Sequence, residues 1–203
     1  MNELKRLILA LQFLTRVPIP VKLDVKAGDF PKCAAYFPVA GIVTGLMASA
    51  IYAVLGPIFS REIIMAFAVA FSYVLTGSLH IDGLADTFDG LFSNQPRERV
   101  LEIMRDSRLG TNGVVAAVFV IILKILFFAG LKANFSVPAL IVVPMLGRLS
   151  QVFAMMVSKS ARDSEGLGGL MIGKAGIREF LTAAVITLLA GYFLFPPPAV
   201  IAI

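Results

Sequence analysis

The chain has 203 residues, 58% of them hydrophobic and 15% charged, with a net charge of +5 and a mean hydropathy of +0.88. This composition excludes an ordinary water-soluble domain, and apolar spans of about 20 residues each leave no room for a second, soluble one, so a single integral membrane domain is expected. One cysteine, Cys33, excludes an internal disulfide framework and a cysteine-based zinc site.

The first element in chain order is "NELKRLILALQFLTR", residues 2–16. Leu4, Leu7, Ile8, Leu11 and Leu14 share one helical stripe, with Lys5, Arg6 and Gln12 off it. That pattern predicts an amphipathic helix lying in the membrane interface and cut off by "VPIP". A signal peptide is the other reading of such a start, but no small-residue cleavage site follows. Residues 1–33 are therefore expected as an interfacial segment and 34–203 as a transmembrane bundle. Apolar spans are predicted at about 34–59, 62–79, 112–131, 137–157 and 180–195. The terminal "PPPAVIAI" should stop the fifth helix and leave a tail too short to cross again. The expected fold class is thus an all-α polytopic membrane protein, with about five transmembrane helices plus an N-terminal interfacial amphipathic helix.

Lys and Arg between the spans alternate as six, one, four, one, four and none, with Lys124 and Arg148 inside spans. The alternation predicts a cytoplasmic N-terminus, two cytoplasmic loops after the second and fourth spans, and a C-terminus outside. The positive charge then reflects orientation and lipid contact, and a nucleic-acid partner is not expected.

The first of those loops opens with "LHIDGLADTFDGL", residues 79–91. If the second helix runs on through it, Asp82, Asp86 and Asp89 fall within a face roughly 60° wide along about 10 Å of helix, with His80 on the opposite side. Three carboxylates on one face repel, and each is costly near hydrocarbon. One reading is a solvated polar helix end paired with nearby arginines. The other is a divalent-cation site, because a hard ion such as Mg²⁺ selects carboxylate oxygens and turns the repulsion into coordination. Gly83 and Gly90 follow two of the aspartates and suggest close approach of a backbone or a ligand, with room for a nucleotide diphosphate.

Downstream, "RERVLEIMRDSRLGTNG" carries Arg99, Arg105, Asp106 and Arg108 just ahead of a glycine-containing turn. These arginines serve either as cytoplasmic anchors or as phosphate ligands, and the turn can present backbone N–H groups to an anion. Acids suited to metal and bases suited to phosphate in one loop point to phosphoryl or nucleotidyl transfer. Arg148, in mid-span, is expected to contact a phosphate or carboxylate, and Lys124 to snorkel. The loop "ARDSEGLGGLMIGKAG" reads equally as a mobile lid or a flexible linker, and the eight methionines read as packing residues.

These motifs also resemble a known family. "LQFLTRVPIP" (11–20), "YFPVAGIVTG" (36–45), "TGSLHIDGLADTFDG" (76–90), "MRDSRLGTNG" (104–113) and the pair Gly147 and Arg148 are similar, in order, to the adenosylcobinamide-GDP ribazoletransferase family, also called cobalamin-5'-phosphate synthase. The resemblance implies a multi-pass enzyme of a bacterial or archaeal cytoplasmic (inner) membrane. In that reaction a ribose hydroxyl of α-ribazole, or of its 5'-phosphate, attacks the cobinamide-bearing phosphate of adenosylcobinamide-GDP and expels GMP, with Mg²⁺ required. Under that reading Asp82 and Asp86 hold the metal, Asp89 is a third ligand or the base, and Arg105 and Arg108 clamp the diphosphate. Asp106 is a further candidate for the site, and Arg148 a further substrate contact. His80 is expected to make a structural hydrogen bond. The aspartate core is also similar to that of CDP-alcohol phosphotransferases, with different spacing.

The resemblance further implies additional hydrophobic spans beyond residue 203, and a homo-oligomer is among the assemblies such a bundle permits. A divalent-cation transporter or channel using the aspartate cluster is the rival from another class. It predicts acids near mid-membrane on several spans, whereas these acids sit at one interface.

Overall fold

The computed structural model describes residues 1–161 and 166–195, and every regular element among them is helical. These are α1 (Glu3–Leu14), α2 (Asp29–Cys33) running through a 3₁₀ turn (Ala34–Tyr36) into α3 (Phe37–Leu55), α4 (Arg61–Leu75), α5 (Leu79–Leu91), α6 (Arg97–Ile103), α7 (Thr111–Gly130), α8 (Ala133–Val157), α9 (Leu167–Met171) and α10 (Ile177–Leu194). Four stretches are long and apolar enough to cross a membrane: Asp29–Leu55, Thr111–Gly130, Ala133–Val157 and Ile177–Leu194. A fifth is reached if α4 and α5, bent by 89°, are taken as one broken span. The outward faces of α7 and α10 are apolar, with Phe127 70% and Leu188 70% exposed, as suits contact with lipid.

The second span does not continue through the aspartates as a straight helix. At its end Ser78 N–H donates to the Tyr73 carbonyl (2.8 Å) and Gly77 N–H to the Val74 carbonyl (3.2 Å), the paired closure of a Schellman motif. Gly77 takes the left-handed conformation this needs (φ 64°) and Ser78 follows it (φ 60°), which sends α5 off at its new angle. The aspartates therefore ride on a short helix of their own, and the i, i+4, i+7 spacing survives within it.

The helices form two compact units, Met1–Ala50 with Ala133–Ile203, and Ile51–Lys132. In the first, α1 is part of the core. Leu9, Ala10 and Leu14 are buried with Cys33, Ala34, Phe37, Val152, Met171 and Ala183, while Leu4, on the expected stripe, is 63% exposed. Leu14, also on that stripe, is buried and Leu11 packs against the core, so the packed face of α1 overlaps the stripe at these two residues and extends beyond it to Leu9 and Ala10. Gln12, expected off the stripe, donates to the Ile19 (3.0 Å) and Val21 (2.8 Å) carbonyls and fixes the "VPIP" bend. Gly41 and Gly45 on α3 let α8 come to backbone contact: a Cβ on Gly45 would stand 2.5 Å from the Ile141 Cα, and one on Gly41 2.6 Å from the Met145 Cα. Past Gly166 the glycine-rich segment is packed rather than loose. Met171 and Ala175 are buried, and Gly173 N–H donates to the Met155 carbonyl at 2.7 Å. Residues 162–165 of that segment, and the terminal proline run, lie outside the described residues.

In the second unit, α7 packs against both α4 and α5, and α6 against α5. Lys124, expected to snorkel, instead has a partner within the unit: its Nζ donates to the Tyr73 hydroxyl at 3.2 Å and lies 5.0 Å from the ring centroid. Arg148, in the first unit, is 6% exposed, and its Nη1 donates to the Gln151 side-chain oxygen at 3.0 Å. Of the two contacts expected for it, a carboxylate or a phosphate, no carboxylate among the described residues pairs with it.

Candidate active site

The site is built on α5 and the segment that follows it. Asp82 and Asp86 stand one turn apart, Asp82 exposed and Asp86 half-buried, and neither has a hydrogen-bond or ion-pair partner among the described residues. Gly83, between them, has no atom within 4 Å of where a Cβ would stand, so this part of the helix surface is open. His80 is exposed on the same helix.

Asp89 is engaged differently. Its Oδ2 accepts the Gly110 N–H and its Oδ1 the Gly113 N–H, each at 2.8 Å. Gly110 is the N-cap of α7 and has no side chain to satisfy the first-turn donors, so Asp89 supplies the missing acceptor from 21 residues away in sequence. A carboxylate at that end also meets the positive pole of the 20-residue helix. The approach is possible only because both partners are glycines: a Cβ on either would lie 2.4 Å from a carboxylate oxygen. The "GTNG" turn does present N–H groups to an anion, and that anion is the protein's own Asp89.

The same docking brings the basic segment to α5. Met104 fills the space beside Gly90, its Cγ 2.7 Å from where a Cβ would stand, so the room expected there for a ligand is occupied by protein. Arg108 folds onto Asp106, with Nε 3.1 Å and Nη2 2.7 Å from the carboxylate oxygens, and the backbone N–H of Arg108 adds a third bond at 3.0 Å. The guanidinium holds the Asp106 carboxyl down at about 2. Arg99 pairs with Glu102 at 2.6 Å. Arg105 is exposed and has no partner among the described residues.

Of the predicted residues, then, the structure gathers Asp82, Asp86, Asp89, Arg105, Asp106 and Arg108 into one unit, whereas Arg148 belongs to the other. Among the described residues no three His, Cys, Asp or Glu side chains are grouped to hold a metal ion. Asp89, expected as ligand or base, spends one lone pair of each oxygen on α7, which leaves Asp82 and Asp86 as the uncommitted carboxylates. The capping role was missed from sequence, yet it had a signal: a long apolar helix opening on glycine needs an acceptor from elsewhere.

Helices of this length and apolarity, with a carboxylate-bearing helix bolted to a basic loop, define a polytopic membrane protein whose polar chemistry is concentrated at one helix end. The family model described as cobalamin-5-phosphate synthase matches residues 6–203, so the chain belongs to that family, an enzyme family of cobalamin synthesis. A relative from Thermoanaerobacter pseudethanolicus is 60% identical over 97% of this chain and 78% of its own length. One from Caldanaerobacter subterraneus subsp. tengcongensis is 56% identical over 97% and 79%, and one from Clostridium acetobutylicum 41% identical over 90% and 72%. All three are named adenosylcobinamide-GDP ribazoletransferase. No solved structure matches the chain.

Proposed function

We propose that the chain transfers the adenosylcobinamide-phosphate group of adenosylcobinamide-GDP to a ribose hydroxyl of α-ribazole or α-ribazole 5'-phosphate. The hydroxyl oxygen forms a bond to the cobinamide-bearing phosphorus, the bond from that phosphorus to the bridging oxygen breaks, and GMP leaves with the electron pair. The hydroxyl proton is lost to solvent as the new bond forms. The observation that carries this reading is the tie from Asp89 to Gly110 and Gly113, which holds the Arg105–Arg108 segment to the helix bearing Asp82 and Asp86. A diphosphate needs cationic contacts on its oxygens, and Arg105 and Arg108 are the exposed guanidinium groups that segment offers.

Two uncommitted carboxylates one turn apart suit Mg²⁺, which is commonly held by one or two carboxylates together with substrate phosphates. Asp82 and Asp86 would hold it, and its chemistry is to neutralise charge developing on the phosphate oxygens. Asp89 acts as a positioning residue: it orders the arginine segment without touching substrate. We further propose a cytoplasmic-membrane location, with the N-terminus and this site on the cytoplasmic side, supported by the alternation of basic loops.

The test is GMP release from adenosylcobinamide-GDP plus α-ribazole or its phosphate by the purified protein, with and without Mg²⁺. Wild type should release GMP only with the metal, and Asp82→Asn should lose at least about 100-fold. Intact protein that releases none overturns the enzyme reading, and undiminished release by Asp82→Asn overturns the metal assignment.

A further inference from the structure

A cleft of about 560 Å³ opens in the first unit among α1, the start of the Asp29–Leu55 span and the start of α10. Three cations line it, Arg6, Lys32 and Arg178, contributed by parts of the chain far apart in sequence. Its two carboxylates are already committed. Glu3 accepts from Arg6 Nη1 and, at 2.8 Å, from the Tyr36 hydroxyl; Glu179 accepts the Gly176 N–H at 2.9 Å and so caps α10. The donors are in surplus. Arg6 Nε is shielded from solvent with no acceptor, and Lys32 and Arg178 have no hydrogen-bond or ion-pair partner among the described residues. An unsatisfied buried donor is costly, and the three cations outnumber the two carboxylates of the lining, which leaves the cleft with a surplus of positive charge that an anion would neutralise.

The cleft also has a definite place. Lys32 and Arg178 each stand at the N-terminal end of a membrane-spanning stretch, so the cleft lies at one end of two spans, at the level of lipid headgroups. Thr182 continues its wall down α10, beside the outward Leu181 and Val185, both 53% exposed. An anion with several oxygens matches the guanidinium forks of Arg6 and Arg178.

We propose that this cleft is an anion site that takes a phosphate group, held by Arg6, Lys32 and Arg178, from either an anionic phospholipid headgroup or a free phosphate. The site is separate from Asp82 and Asp86 and does not depend on the catalytic reading. The test uses the full chain in nanodiscs of phosphatidylcholine alone or with added phosphatidylglycerol, comparing wild type, the pair Lys32→Gln/Arg178→Gln, and Lys22→Gln/Lys26→Gln as a charge-matched control outside the cleft. Two readouts are taken: phosphatidylglycerol retained on the protein by native mass spectrometry, and the shift of Tm with inorganic phosphate in phosphatidylcholine discs. Because Lys32 and Arg178 are exposed and unpartnered, the variant should fold with an unchanged Tm in the absence of anion. The cleft pair should lose about tenfold or more in affinity, with the control unaffected. Loss in the lipid arm identifies a headgroup, and loss in the phosphate arm a free phosphate. Absence of binding in both arms overturns the proposal, as does equal loss in the control. If the cleft pair fails to fold, the single variants Lys32→Gln and Arg178→Gln take its place, and wild-type anion affinity in both overturns the proposal.

Discussion

Two glycine pairs, one in each unit, illustrate how a similar sequence feature serves different ends. Gly41 and Gly45 let one helix backbone lie directly on another: the atoms that a Cβ would strike are main-chain atoms of α8. Gly110 and Gly113 let a side chain reach a helix end: the nearest atoms there belong to the Asp89 carboxylate. The first pair builds a packing surface that cannot yield, while the second builds an electrostatic joint between the acidic helix and the basic segment. A glycine near a charged motif therefore marks close approach, and only the contact tells whether a ligand or the protein fills the space.

The contrast can be broken most severely at Gly45. Gly45→Leu should cost about 3 kcal/mol or more, because backbone on α8 must move; chemical unfolding in detergent should show it, and a loss below about 1 kcal/mol would mean the helices are not in contact as described. Asp89→Ala comes next, with about 2 kcal/mol from two orphaned N–H groups at the start of α7, together with loss of turnover as the arginine segment loses its anchor. Gly113→Ala should reproduce both effects by displacing the carboxylate, and a fully active, stable Gly113→Ala would refute the joint.

Asp82→Asn should have the opposite profile to Asp89→Ala. This exposed, uncommitted residue should change stability by less than about 0.5 kcal/mol while abolishing turnover, so the two aspartates separate in the ratio of unfolding to activity effects. The smallest effect is expected at Asp106. Its folded-state carboxyl is depressed to about 2, so its pairing with Arg108 is fully present above the ordinary carboxylate range and is lost as pH falls from there toward about 2. Carbon NMR of the Asp106 carboxyl should show no titration above pH 4, and a midpoint near 4 would contradict the pairing.

Much of this was legible from residues alone. The spans expected at 112–131, 137–157 and 180–195 match α7, α8 and α10 to within about four residues, because long apolar runs leave few alternatives. The bend at Thr76–Ser78 was not legible, since it depends on a serine adopting a left-handed backbone after Gly77, which composition does not announce. The packed face of α1 reaches past the expected stripe to Leu9 and Ala10 because Leu7, Ile8, Leu9 and Leu11 offer several apolar faces, and tertiary packing chose among them. At the site, the spacing of Asp82 and Asp86 could be read directly, whereas the use of Asp89 rests on a contact spanning more than 20 residues that periodicity cannot reveal. Arg6, Lys32 and Arg178 come together for the same reason, through folding of distant segments.

The two units also differ in how the chain enters them. The unit with the aspartates is one uninterrupted stretch, Ile51–Lys132, while the other joins Met1–Ala50 to residues from Ala133 onward. As the polypeptide leaves the ribosome, every partner of Asp89 and of Lys124 has been made before α8 begins, so the acidic helix can be locked to α7 during synthesis. The Gly41 and Gly45 surface must wait for α8 with its apolar neighbours uncovered. Slowing translation beyond Lys132 should therefore leave the polar joint already assembled while the Gly41 and Gly45 surface still lacks its partner helix.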